Sequence, residues 1–175
     1  DQAENNVWDI GLIGAEPQRA AKISFTAAYV EIEATYMVPK NSAIKSIADV
    51  DKPGVRIAVS ARSAYGLWLE NNIKQATLVR TDTLDASLQK FMDEKLDVLA
   101  GLRPRLIDDV KKIPGARILD GQFSAVQQAI GTPKKNVAAA KWLAAFVEEA
   151  KASGLVKSFI EKHNVKGLSV APLAK

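Results

Sequence analysis

The sequence predicts an α/β fold: a mostly parallel sheet with helices on both faces. Three observations carry this. Short apolar, β-prone runs alternate with segments of helical periodicity from Val55 to Leu119, which is the signature of βαβ units. The run Val7–Gly14 is short and nearly continuous in apolar residues, as a buried strand is. Apolar residues make up 47% of the 175, enough for a real core, and charged residues make up 25%.

Taken in order, "VWDIGLIG" (Val7–Gly14) reads as a buried strand, and "EPQRAAK" as a short helix with Pro17 in its first turn. "AYVEIEATYMV" (Ala28–Val38) alternates, placing Val30, Ile32 and Ala34 on one face of a long strand. A turn-rich connection follows, with a short helix at Ser46–Val50. Val55–Val59 is a strand, Ser63–Ile73 a helix, and Ala76–Arg80 a strand. Asp82 or Thr83 can cap a helix whose apolar face is Leu84, Leu88, Phe91 and Met92. Leu96–Ala100 is a strand, Arg103–Ile113 a helix with Pro104 near its start, and Ala116–Leu119 a strand. Ser124–Ile130 is a further strand. Thr132-Pro133 or Asn136 opens a long helix carrying Trp142, Leu143, Phe146, Val147 and Ala150, and Gly154 stops it. Leu155–Lys162 is a last short helix.

Several chemistries are excluded or disfavoured. Cysteine is absent, which removes disulfides and thiolate catalysis. His163 is the single histidine, and no GxSxG elbow, GxGxxG or P-loop is present. Asp108-Asp109 and Glu148-Glu149 are adjacent on helices, so their side chains diverge and read as solvated faces rather than as a metal or acid–base pair. The net charge of +4 is spread along the chain without a basic block, which disfavours nucleic acid as a partner. No segment approaches the ~20 apolar residues of a membrane span. The opening "DQAENN" is polar and lacks the apolar stretch of a signal peptide.

The positive signal is a set of arginines just beyond strand ends: Arg19, Arg62 and Arg103. Ligands of open α/β sheets bind beyond the carboxyl ends of strands, and a guanidinium there can clamp a carboxylate or phosphate with two parallel hydrogen bonds. The stretch "VSARSAYG" (Val59–Gly66) is a strand–turn–helix junction whose first helical N–H groups suit an anion.

"WDIGLIGAEPQRAAKISFT" (Trp8–Thr26), "PKNSAIKSIADVDKPGVRIAV" (Pro39–Val59) and "EKLDVLAG" (Glu94–Gly101) together resemble the periplasmic solute-binding proteins of polar amino-acid ABC transporters, known as family 3. The resemblance covers nearly the whole chain but lacks the family's early lobe-one elements. It implies a two-lobed periplasmic binding protein-like fold with an incomplete first lobe: 1–38 as the end of lobe one and a crossing strand, 39–130 as lobe two, and 131–175 as helices returning to lobe one. It also implies an exported, periplasmic protein, an ABC transporter permease as partner, no cofactor, and self-association to cover the incomplete lobe. A small anionic or amino-acid-like solute would be clamped between lobes that close by hinge motion.

By the same resemblance, Gly14, Ala15 and Arg19 are the lobe-one contacts, with Arg19 pairing with a ligand carboxylate. Ser60, Ala61, Arg62, Ser63 and Ala64 form the lobe-two turn, where Arg62 stands in place of the family's glycine and Ser63 keeps a hydroxyl donor. Leu102, followed by Arg103, stands where the family has the aspartate that receives the ligand ammonium. A buried ammonium without its counter-ion costs several kcal/mol, so these substitutions point to a carboxylate-rich or otherwise anionic small molecule. An enzyme resembling cyclohexadienyl dehydratase, or the ligand-sensing domain of a receptor, are the alternative expectations on this fold.

Overall fold

The computed structural model describes Ala3, Asn5 and residues 7–174; most of "DQAENN" and the final lysine therefore lie outside the described residues. The chain divides into two compact units, one made of Asp1–Ile32 with Val126–Lys175, the other of Glu33–Ala125. Two long strands, β3 (Val30–Val38) and β8 (Ser124–Pro133), carry the chain from one unit to the other.

The second unit is built on βαβ repeats. Strand β4 (Arg56–Ser60) leads through helix α2 (Ala64–Asn72) to β5 (Thr77–Thr81). Strand β5 leads through α3 (Leu84–Asp93) to β6 (Val98–Leu102). A helical crossover returns each strand in the same direction, so β4 pairs in parallel with both β5 and β6. The expectation of a mostly parallel sheet is corrected outside this trio. Strand β3 runs antiparallel to β6 in the register Ala34↔Leu102, and antiparallel to β7 (Arg117–Ile118). No crossover of the βαβ kind constrains β3, which enters the unit from outside it, so its direction is free of the parallel rule. The sheet is mixed.

Alternation along the strands divides the core of this unit. Met37, Ala58 and Leu99 face one side and bury Leu88 and Phe91 of α3 and Leu106 of α4 (Arg103–Asp109). Ile57 and Val59 point to the other side, where α2 approaches closely enough that a Cβ on Gly66 would lie 3.3 Å from the Val59 side chain. Helices therefore cover both faces. Thr83 is the residue that caps α3, its hydroxyl accepting from Ala86 N–H at 3.1 Å. Leu84 and Met92, expected on the apolar face, are exposed, because the buried arc of α3 is narrow and centred on Leu88 and Phe91. The helix expected at Ser46–Val50 is a single 3₁₀ turn, Ile47–Asp49, closed by a capping box between Ser46 and Asp49. The helix expected to reach Ile113 ends at Asp109 and continues as a 3₁₀ turn over Val110–Lys112.

The first unit is organised around β8. Strand β1 (Gly11–Gly14) and strand β2 (Ile23–Phe25) both pair antiparallel with it, sharing the partner Gly131. Short helix α1 (Pro17–Ala20) joins them, with Pro17 in its first turn. The strand expected over Val7–Gly14 is shorter, since regular pairing starts only at Gly11. Strand β8 in turn extends beyond its expected end at Ile130. Thr132 and Pro133 lie in the strand, held by pairing to Ile23 and Ser24, so the long helix α5 (Val137–Ala152) begins after Asn136. Gly154, at φ +79°, turns the chain between α5 and α6 (Leu155–Lys162), a left-handed conformation that favours glycine. Strand β9 (Leu168–Val170) closes the unit by pairing antiparallel with Val30–Ile32.

Candidate functional site

The arginines singled out in the sequence lie beyond three strand ends: β1 ends at Gly14, β4 at Ser60 and β6 at Leu102. The structure gathers the candidate residues into two clusters, one in each unit.

In the first unit, Gly14 is buried at the end of β1, and Ala15 N–H donates to Gln127 O at 2.8 Å, fixing the turn that leads into α1. One helical turn later the Arg19 side chain folds back, and its Nη1 donates to Gly14 O at 2.9 Å. The guanidinium is thus oriented by backbone. Glu16 stands at the N-terminus of α1. Partial burial pushes its carboxyl above the ordinary value of 4.5, and the nearby Arg19 charge opposes that rise. The cation offered by Arg19 is therefore shared with a carboxylate of its own helix. Sequence reading missed Glu16; its position three residues before Arg19 on a helix was the available signal.

In the second unit, the cluster collects at the carboxyl ends of parallel β4, β5 and β6. Ser60 is the last residue of β4 and is buried. Ala61 N–H donates to Thr81 O at 2.8 Å, tying the turn to the end of β5. Arg62 has φ +65°, a left-handed conformation that is uncommon outside glycine. Its exposed side chain lies in the αL position of the turn.

Ser63 caps α2: its Oγ accepts from Gly66 N–H at 3.0 Å and donates to Ser60 O at 2.7 Å. The hydroxyl proton expected for a ligand is thus already engaged within the turn. The N–H groups of Ala64 and Tyr65, in the first turn of α2, have no carbonyl partner four residues back within the helix. They are the donors a helix of this kind offers to an anion. Burial pushes the Tyr65 phenol up, opposed by its hydrogen bonds to Ser63 and Ser60.

Leu102, across from Ala34 in the sheet, places an apolar side chain at the end of β6. Arg103 follows it. Its Nε donates to the Glu33 carboxylate, and its Nη2 donates to Gly121 O at 2.7 Å. The pair is separated by 70 positions in sequence, so spacing could not reveal it. Glu33 therefore brings a carboxylate to the strand end that Leu102 leaves apolar, with Arg103 as its counter-ion. Beyond it, the Phe123 ring lies 4.4 Å from that of Tyr36 and 5.3 Å from that of Trp68 on α2. These aromatics were not among the candidates, because each reads in sequence as ordinary core.

Taken by chemistry, the first-unit cluster supplies the Arg19 guanidinium on α1 and the Glu16 carboxylate, and the second-unit cluster supplies the Arg62 side chain on its turn, the first-turn N–H groups of α2 and the Glu33 carboxylate.

No protein-family model and no curated protein sequence matches the chain. Solved structures do match it in fold. A solute receptor for L-cysteine from Neisseria gonorrhoeae superposes with a TM-score of 0.78 at 19% identity, covering 95% of this chain and 69% of that one. A binding component of an ABC transporter from Wolinella succinogenes, complexed with lysine, gives 0.77 at 18% identity, over 92% and 72% of the two chains. The ancestral amino-acid-binding protein AncCDT-1, a precursor of cyclohexadienyl dehydratase, gives 0.75 at 19% identity, over 92% and 70%.

Proposed function

We propose, from the fold this chain shares with periplasmic amino-acid-binding proteins, that it binds a small carboxylate-bearing solute and serves as the extracytoplasmic binding component of an ABC transporter. The observation that carries the reading is the Ser60–Ala64 turn. A cationic side chain occupies its left-handed position at the entry to α2, beside N–H groups that favour an anion. Arg19, oriented by Gly14 O, is the corresponding carboxylate partner offered by the first unit.

The solute class follows from charge. Leu102 cannot accept an ammonium, and the nearby Glu33 carboxylate is already paired with Arg103. An ordinary α-amino acid would bring an ammonium to a place whose anion is neutralised, at a cost in desolvation. A carboxylate-rich solute brings no ammonium and does not meet that cost. Delivery to a membrane permease and a periplasmic location belong to the same proposal.

Calorimetric titration with succinate and glutarate, against lysine and alanine, tests it. The dicarboxylates should bind, and Arg19→Ala should abolish their binding. Tighter binding of lysine or alanine than of either dicarboxylate, or unchanged affinity in Arg19→Ala, would overturn the assignment.

A further inference from the structure

We infer that the second unit holds a cation site whose built-in occupant is Arg103, and that Arg103 is therefore the residue that keeps the ammonium or guanidinium group of a solute out. The inference deepens the solute reading above and rests on it for what the chain binds; the site itself is made of second-unit residues alone. Strand β3 pairs with β6 as far as Ala34↔Leu102, so Glu33 and Arg103 stand opposite each other one step beyond that pair. Arg103 Nε donates to the Glu33 carboxylate. Its Nη2 donates to Gly121 O at 2.7 Å and reaches Leu119 O at 3.5 Å. A carboxylate and two carbonyl oxygens thus converge on one guanidinium.

These acceptors are held in place by bonds that do not involve Arg103. Glu33 is carried by β3. Leu119 N–H donates to Tyr36 O at 2.8 Å, and Phe123 N–H donates to Ala34 O at 2.9 Å, which fastens both ends of the connecting loop to the same strand. The Phe123 ring packs on those of Tyr36 and Trp68. Between the two anchors, Gly121 turns the chain at φ +75°. Removing the Arg103 side chain would leave the three oxygens converging on an empty place, with the Glu33 charge no longer offset.

The Glu33 side chain is 41% exposed and that of Arg103 20%, so the cluster opens to water and is within reach of a dissolved cation. Such a cation must displace a guanidinium tethered at the site, whose effective concentration a free solute does not match. Occupation by Arg103 therefore turns an oxygen cluster that attracts cations into a neutral one. The selection works by exclusion. A solute ammonium finds no open anion there, and a solute carboxylate is not repelled by a bare Glu33.

Thermal unfolding in a millimolar series of methylguanidine, with no solute added, tests the site, because a ligand of the folded chain raises its melting temperature. Methylguanidine should stabilise Arg103→Ala relative to the double variant Glu33→Gln/Arg103→Ala, and should give the wild-type chain no such gain. Arg103→Ser, which also empties the site and suits the start of α4, carries the same comparison if the alanine variant does not fold. Calorimetry reads the selectivity: in the emptied variant, affinity for lysine relative to succinate should rise at least about tenfold, the worth of one hydrogen bond to a charged group. Equal response to methylguanidine in the emptied variant and its Glu33→Gln double overturns the inference. So does the same gain in the wild-type chain, or an unchanged lysine-to-succinate ratio in a chain that binds succinate. A wild-type chain that binds no dicarboxylate overturns the solute reading instead, and the methylguanidine comparison still decides the cation site.

Discussion

The carbonyl oxygen of Ser60 lies only 2.6 Å from the point where a Cβ on Gly66 would sit. The same Cβ would be 2.8 Å from Ser63 Oγ. The first turn of α2 therefore presses against the end of β4 with no room for a methyl group, and the obstructing atom is backbone, which cannot swing aside. Gly66→Ala should destabilise the chain by about 1–3 kcal/mol, as overpacking does. Because the displaced atoms are those that hold the Ser63 cap, solute affinity should fall with it. Urea unfolding monitored by circular dichroism reads the first effect and calorimetry the second.

Arg62 gives the opposite balance. A left-handed residue with a side chain carries a conformational cost of about 1–2 kcal/mol, which glycine escapes, although glycine gives back about 0.5–1 kcal/mol through its freer unfolded chain. Arg62→Gly should leave stability unchanged or raise it by up to about 1 kcal/mol. Affinity for a dicarboxylate should nevertheless fall by roughly tenfold to a hundredfold, the worth of one hydrogen bond to a charged group. A variant that is more stable and binds equally well would remove Arg62 from the site.

Glu16 makes binding at Arg19 depend on pH. Burial raises its carboxyl above 4.5, so its protonated form is favoured by the folded chain. Its contribution to stability is thus present below 4.5 and is lost as pH rises through the elevated folded value. Once ionised, Glu16 competes with a solute carboxylate for Arg19. Affinity should therefore rise as pH falls towards the elevated value, until the solute itself protonates. Glu16→Gln should flatten that dependence at its high-affinity end and should stabilise the chain slightly near neutral pH. Titrations of succinate at a series of pH values distinguish the two proteins.

Lys151 is a buried cation: its side chain is 1% exposed, and its Nζ lies 2.8 Å from Glu148 Oε1 and donates to Pro172 O at 2.7 Å. Glu148 in turn accepts from Ala174 N–H at 3.1 Å. Replacing Glu148 with glutamine should leave that ammonium poorly compensated and lower the melting temperature, whereas Lys151→Met, which removes the charge and keeps the volume, should cost less. Limited proteolysis should release the last residues faster in Glu148→Gln than in the parent chain.

The parts of this architecture that sequence displays are those governed by local periodicity. Strands β4, β5 and β6 and helices α2, α3, α5 and α6 follow from their apolar spacing and from the Ser63 and Thr83 caps. Three-residue strands such as Ile23–Phe25 and Leu168–Val170 carry too few residues for a period to show, and they exist only because β8 and β3 supply their partners. Strand direction is a tertiary property, which is why antiparallel β3 could not be told from the parallel trio.

At the site, the Ser63 cap is legible as a small hydroxyl residue before a helical run. The engagement of its proton by Ser60 is not, because it depends on how the turn closes. The three arginines share one sequence context and receive different partners: Arg19 turns back on Gly14, and Arg103 is taken up by Glu33. Distant residues decide this, and no spacing rule reports them.

The left-handed backbone at Arg62 bears also on how such a protein diversifies. Glycine and arginine codons can differ by a single base. In a turn whose geometry already suits glycine, the exchange changes charge without changing the backbone. Under the proposed function, a neutral and a cationic solute contact are then one mutation apart. Position 62 is a place where the chain can change charge with the backbone of its turn left as it is.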